Sequence, residues 1–380
     1  MEPDLPLRAL AVYLHIPFCL TRCGYCSFFS LPFSQVEQDR YLGHLHSEIK
    51  LWEKRQSEFL RARTLYFGGG TPSLLSADQI NGICAYFELL PDAEITLEIN
   101  PVQITEAYLR ELAKTPVNRL SLGLQSMDDT QLAWLDRRHR SAQIPARIKL
   151  CRDYGWCNLS LDLLYGLPGG TKDKLSRDLE RFLVLEPEHI SAYLLTLDPD
   201  SPARAKLSAP GALPLPDDDA LADQYALLRE TLKASGFEQY EISNFCRPGR
   251  ASRHNLAYWR CEPYLGLGAG AHGYLPPWRY AHPASLPDYY GQVERGETMP
   301  AAQYCDAEQT KADYLMMGLR LTAGIDLDDY ALRFGSKLQE EKRQTIAKLT
   351  RMGLLEFESH RLRLSAAALF VSTAVIGELL

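Results

Sequence analysis

Tyr13-Leu14-His15-Ile16-Pro17-Phe18-Cys19-Leu20-Thr21-Arg22-Cys23-Gly24-Tyr25-Cys26 decides how this chain is read. Three cysteines at C-x3-C-x2-C spacing follow a short apolar run that reads as a strand. Such a loop can supply three thiolates to one compact inorganic centre. A cubane [4Fe–4S] cluster has four irons, and full ligation by protein takes four thiolates. Three leave one iron open, where chemistry can occur. Gly24 lets the loop bend between the last two ligands. Zinc is the rival metal, but structural zinc prefers four ligands in two short pairs. No second C-x2-C or H-x3-H pair occurs in the sequence. Buried cysteines without metal are the remaining alternative, although short cysteine spacings are normally site-forming.

Outward from that loop, the composition is that of an ordinary globular protein, with 46% hydrophobic and 23% charged residues. The 380 residues suffice for two or three domains and a sizeable core. A net charge of −7 argues against nucleic acid as the main partner, which wants a basic face. Nine cysteines, three of them crowded together, fit a reducing compartment better than a disulfide framework. The first residues lack a signal-peptide core. The apolar tail over 366–380 is interrupted by Ser372, Thr373 and Glu378 and falls short of the roughly 20 apolar residues that span a bilayer. A cytoplasmic location is the expectation.

Strand and helix patterns alternate six times. Runs at 11–17, 62–70, 94–100, 119–126, 158–165 and 189–197 predict strands. Between them, 34–60, 76–90, 105–114, 128–136 with 141–154, and 171–185 predict helices. The expectation is an α/β fold, a parallel sheet with helices outside, bent into a partial (β/α)6 barrel. Its site should lie where the strands end. Residues 198–217 read as a linker or lid. A helix follows over 218–235 before Gly236, and 237–300 is aromatic- and Gly-rich with little periodicity. Helical patterns at 307–321, 327–334 and 339–352, a hairpin at LLEFESHRLRLS and a last helix predict a C-terminal winged-helix-like α+β module. Its mixed charge favours packing or docking over DNA binding. The expected divisions are 1–200, 201–300 and 301–380.

Several polar residues fall where such a barrel would place its chemistry. Gly68-Gly69-Gly70-Thr71-Pro72 follows the second strand, and glycines there let backbone amides approach a ligand closely. A Gly triplet alone is as readily a turn. Glu98 alternates within the third strand and faces either water or the lumen. A sheet covered by helices makes the first weak. Gln125 and Asp162 repeat the pattern. Arg137, in LDRRH, reads equally as surface or site.

The cysteine loop at the end of a first strand resembles the signature of the radical S-adenosylmethionine (SAM) superfamily. Tyr13-x-His15-Ile16-Pro17-Phe18-Cys19 is similar to the branch holding oxygen-independent coproporphyrinogen III oxidases and the HemW heme chaperones. The resemblance implies a [4Fe–4S] cluster on Cys19, Cys23 and Cys26, with SAM chelating the open iron and undergoing one-electron cleavage. It implies SAM contacts at Tyr13, Tyr25, Gly69, Gly70, Thr71, Glu98, Gln125, Arg137 and Asp162. His254-Asn255-x-x-Tyr258-Trp259 is similar to the H-N-x-x-Y-W element of the chaperones, where it is implied to bind heme. An exposed His254 flanked by aromatic rings would ligate the iron, with His272 as its competitor. The alternative is a histidine hydrogen-bonded within a loop. His15 is expected to pack under the cluster loop. The oxidases carry a further cysteine two residues after the third ligand, where Phe28 stands here, and a longer N-terminal extension. The implied function is a heme chaperone passing heme to an acceptor protein, which could be membrane-associated. The alternative is the oxidative decarboxylation of coproporphyrinogen III.

Overall fold

The computed structural model describes residues 9–56 and 60–380. Six parallel strands appear in chain order: β1 (Leu10–Ile16), β2 (Leu60–Gly69), β3 (Phe87–Ile99), β4 (Arg119–Gln125), β5 (Leu159–Tyr165) and β6 (His189–Leu194). Each pairs in parallel with the next. The alternation explains both faces. Along β1, Leu10, Val12, Leu14 and Ile16 are buried in the layer under the helices, and Tyr13 and His15 point the other way. The helix Gln35–Gln56 covers this layer with Tyr41, Leu42, Leu45, Ile49 and Trp52 at helical spacing. The expected helix over 34–60 extends over 57–59, which lie outside the described residues, and at its expected end Leu60 instead begins β2.

Two expectations are corrected. The predicted helix over 76–90 stops at Cys84, and β3 starts at Phe87, seven residues before the predicted strand. Phe87-Glu88-Leu89 pairs with Leu60-Arg61-Ala62, so ladder bonds outweigh the local helical pattern. The unpatterned region 237–300 also carries strands of the same sheet. They are β7 (Glu238–Gln239), β8 (Asn244–Cys246), β9 (Tyr264–Leu267), β10 (His272–Leu275) and β11 (Trp278–Ala281), with β12 (Gln303–Tyr304) beyond. Among the described residues the sheet runs β12-β11-β10-β9-β1-β2-β3-β4-β5-β6-β8-β7. β9 lies parallel to β1 and makes a seventh parallel strand, and antiparallel pairs finish both edges. These strands have two to four residues, too few for a period to show.

The C-terminal helices and the hairpin Leu355–Glu358/Arg361–Leu364 form as expected, joined by Ile325–Asp326 as a third strand. The module packs on the barrel through an Arg279–Asp313 ion pair and the Tyr240 carbonyl, which accepts from the Thr322 amide. Among the described residues, no helix is long and apolar enough to cross a membrane. Leu161 of β5 is fully buried in the common core. Leu161→Ala should cost about 2–5 kcal/mol by the transfer and cavity terms, read as a lower urea midpoint with an unchanged slope.

Candidate functional site

The cysteine loop is closed at its base and clamped from outside. Phe18–Cys19 pairs with Leu31–Pro32, and the Phe33 amide donates to the Cys19 carbonyl at 2.9 Å. The Cys26 amide turns back to the Cys23 carbonyl at 3.2 Å. The Gly24 amide donates to Asp136 Oδ2 at 3.2 Å, and a Cβ on Gly24 would stand 2.7 Å from that oxygen. Lys206 Nζ donates to both Asp136 carboxylate oxygens, at 2.7 and 2.8 Å. The Ala203 amide donates to the Gly24 carbonyl at 3.0 Å. Part of the region expected as a linker or lid is therefore a short helix, Pro202–Lys206, that grips the loop. His15 lies beneath, with Nε2 2.9 Å from the Phe29 carbonyl oxygen.

The three sulfurs open into one cavity of about 520 Å³. Thr71 Oγ1 donates to Cys19 Sγ at 3.4 Å, and Arg137 Nη1 to Cys23 Sγ at 3.6 Å. A Cβ on Gly70 would lie 3.0 Å from Cys19 Sγ and 2.8 Å from the Phe18 carbonyl oxygen, so glycine keeps this approach open. Among the described residues, no three His, Cys, Asp or Glu side chains converge as they would around a single ion. A cubane takes each thiolate on a different iron, and three cysteine side chains on one cavity suit that donor set. Burial raises the Cys19 and Cys26 thiols above their ordinary pKa, and a cationic metal centre is what would hold them as thiolates.

Most of the expected SAM contacts meet here. Tyr25, Gly69, Gly70, Thr71, Glu98, Gln125, Arg137 and Asp162 line the same cavity as the cysteines. Glu98 Oε1 accepts from the Tyr66 hydroxyl at 2.9 Å and Oε2 from the Gly69 amide at 3.2 Å. Gln125 has a left-handed backbone, φ 70°, at a register shift in β4, and this bulge aims it at the cavity. Tyr13 stands one layer back. It stacks on Tyr66 at 6.1 Å and bonds His15 Nδ1 at 3.0 Å. Sequence reasoning missed Tyr66, Arg119, Ser191 and Asn255 on the cavity wall. Arg119, Ser121, Gly123 and Gln125 all line it, and carrying the two-residue alternation back from Gln125 would have found Arg119.

His254 departs from expectation. It is buried, not exposed. Its Nδ1 lies 2.8 Å from Thr64 Oγ1, its Nε2 2.8 Å from the Tyr258 hydroxyl, and its ring stacks on Tyr66 at 4.9 Å. Burial, then the charges of Arg63 and Arg119, lower its pKa to about 3. The reason is Glu94 in β3, which accepts from Ser252 Oγ and from the Arg253 and His254 amides. That carboxylate docks the helix Arg253–Trp259 against the barrel strands, where Asn255 reaches the cavity.

The radical SAM superfamily profile matches residues 13–182, and the HemN C-terminal domain profile matches 312–371. The heme chaperone HemW of Mycobacterium tuberculosis is 36% identical over 388 aligned positions, covering 99% of this chain and 96% of that protein. The heme chaperone HemW of Bacillus subtilis is 32% identical, covering 97% and 99%. The chain belongs to the HemW family of radical SAM proteins. Its fold is that of this superfamily. The structure of coproporphyrinogen III oxidase (HemN) from Escherichia coli aligns with a TM-score of 0.85 at 23% identity, covering 99% of this chain and 91% of that one.

The buried carboxyls give the HemW-family barrel a pH signature. Burial and the Asp162 charge raise Glu98 to about 7, and burial raises Asp162 to about 6. Both folded-state values exceed those of the unfolded chain, so folding takes up protons. Without SAM, the share of stability that these two carboxyls contribute should fall as pH rises from about 4 to about 7 and then level off, against the opposite contribution of buried His254 and His139, lowered to about 3 and about 4. Glu98→Gln should flatten that decline, read from urea midpoints at successive pH values. An unaltered decline would acquit Glu98.

Proposed function

We propose that this protein binds heme and hands it to an acceptor protein, on a barrel that holds a [4Fe–4S] cluster at Cys19, Cys23 and Cys26 and SAM at the open iron. The observation that carries the proposal is end-to-end similarity to proteins named heme chaperones, joined to a cavity where three cysteines meet a polar lumen. When bound, the cluster would supply one-electron chemistry at the SAM sulfonium.

The chain's own residues bind and orient. Thr71 and Arg137 donate to ligand sulfurs, which would damp charge at two corners of the cluster. Gly69 and Gly70 leave room for the methionine end of SAM. Glu98, held by Tyr66, and Asp162 offer acceptor oxygens to its amino and hydroxyl groups. The aromatic and aliphatic side chains Tyr25 and Leu164 supply apolar wall to the same cavity.

Coproporphyrinogen III oxidation is the second reading, favoured by the shared fold. Against it stands Phe28 where the oxidases carry a cysteine. Anaerobically reconstituted protein loaded with hemin should pass it to an apo-heme-protein, followed by the acceptor's Soret band. Given coproporphyrinogen III, SAM and reductant, it should form no vinyl product. Vinyl formation at an authentic oxidase's rate, with no hemin transfer, would reverse the assignment.

A further inference from the structure

An axial ligand to heme iron needs an accessible ring nitrogen that is not already committed. The sequence has nine histidines. His15, His189, His254 and His282 are buried with both nitrogens bonded. His139 is buried in the core at 1% exposure. His44 uses both nitrogens, on the Arg40 carbonyl and Glu294. His46 is part-buried against Tyr86, and His360 sits beside Asp328 at 3.8 Å on the far C-terminal hairpin. His272 is exposed, and among the described residues its ring makes no hydrogen bond or ion pair.

Its place is as telling as its freedom. His272 opens β10 from a rigid turn. In that turn the Gly268 amide donates to Glu48, and the Gly270 amide to the Pro283 carbonyl at 3.0 Å. Gly268 and Gly270 have φ of 95° and 76°, which other residues rarely adopt. Gly270 rests on the Phe29 ring, so closely that a Cβ would lie 3.1 Å from it. The turn is thus packed on the return arm of the cysteine loop. Phe28, next along that arm, is 64% exposed and lines the cavity rim. Arg22 is exposed at the same rim and carries the charge a propionate needs.

We propose that His272 is the axial ligand of heme iron, with the porphyrin lying against Phe28 at the rim of the cluster cavity and a propionate toward Arg22. The inference rests on the heme reading above. It gives His254 a different task, which is to brace Tyr66 behind the SAM pocket. Heme then lies outside the barrel, open to an acceptor, and SAM can occupy the lumen at the same time.

The test is a hemin titration of the full-length wild type and of His272→Ala and Phe28→Ser, followed by the Soret band and low-temperature EPR. His272 is on the surface, so the fold should survive its loss, checked by circular dichroism. His272→Ala should weaken hemin binding about tenfold or more and lose the imidazole-ligated signature, and added imidazole should restore it. Phe28→Ser should weaken binding and leave that signature in place. Stoichiometric binding with the same spectrum and affinity in His272→Ala would overturn the site and leave the heme reading standing. No hemin binding by the wild type would defeat both.

Discussion

Three sulfurs held by one fourteen-residue stretch have to be fixed relative to a barrel whose parallel strands reach from Leu10 to Leu267, and the site depends on that constraint. The loop cannot do this alone, because its internal bonds are few. It is held by Asp136 after β4, by the helix Pro202–Lys206 after β6, and by the backbone that follows it at Leu31–Pro32. Two of the clamps come from distant turns of the chain, so the cysteine positions are completed only when the barrel forms. Gly24 and Gly70 serve the same constraint from the other side, since each stands where a Cβ would meet an atom of the clamp or the ligand.

The second feature is a lumen that is polar on nearly every strand. Burial raises Glu98 and Asp162 toward neutrality, and Thr96 Oγ1 and Arg119 Nε are buried without a hydrogen-bond partner, facing each other in register across β3 and β4. Unpaired groups of this kind cost about 1–3 kcal/mol each. The layer between sheet and helices offsets that cost, which explains why the sheet's outer side is so uniformly apolar. A protein built for stability alone would fill this barrel with Val, Ile and Leu. The polar groups here mark a lumen selected for binding, at a loss of stability.

The parallel core and the cysteine loop could be read from the sequence because both leave local signals: long alternating strands, capped helices and short cysteine spacing. Six strands were legible, and the seventh was not. β9 has four residues and joins β1 only by long-range pairing, which no window of sequence can show. Glu98, Gln125 and Asp162 could be read as inward-facing from alternation, and Arg119 lay one more step along the same rule. His254 misled for a clear reason. Its neighbours Tyr258 and Trp259 suggest an aromatic surface, and the residue that buries it, Glu94, lies 160 positions away. Asp136 was equally invisible, because its partner is a backbone amide 112 residues earlier.

The proposed function requires an iron that the protein would leave without a thiolate. Mössbauer and EPR spectra of the anaerobically reconstituted protein, recorded before and after SAM is added, test it most directly. One iron in four should change its isomer shift, and the reduced-cluster EPR signal should move. A four-iron spectrum indifferent to SAM, or iron that stays bound when Cys19, Cys23 and Cys26 are all alanine, would contradict it.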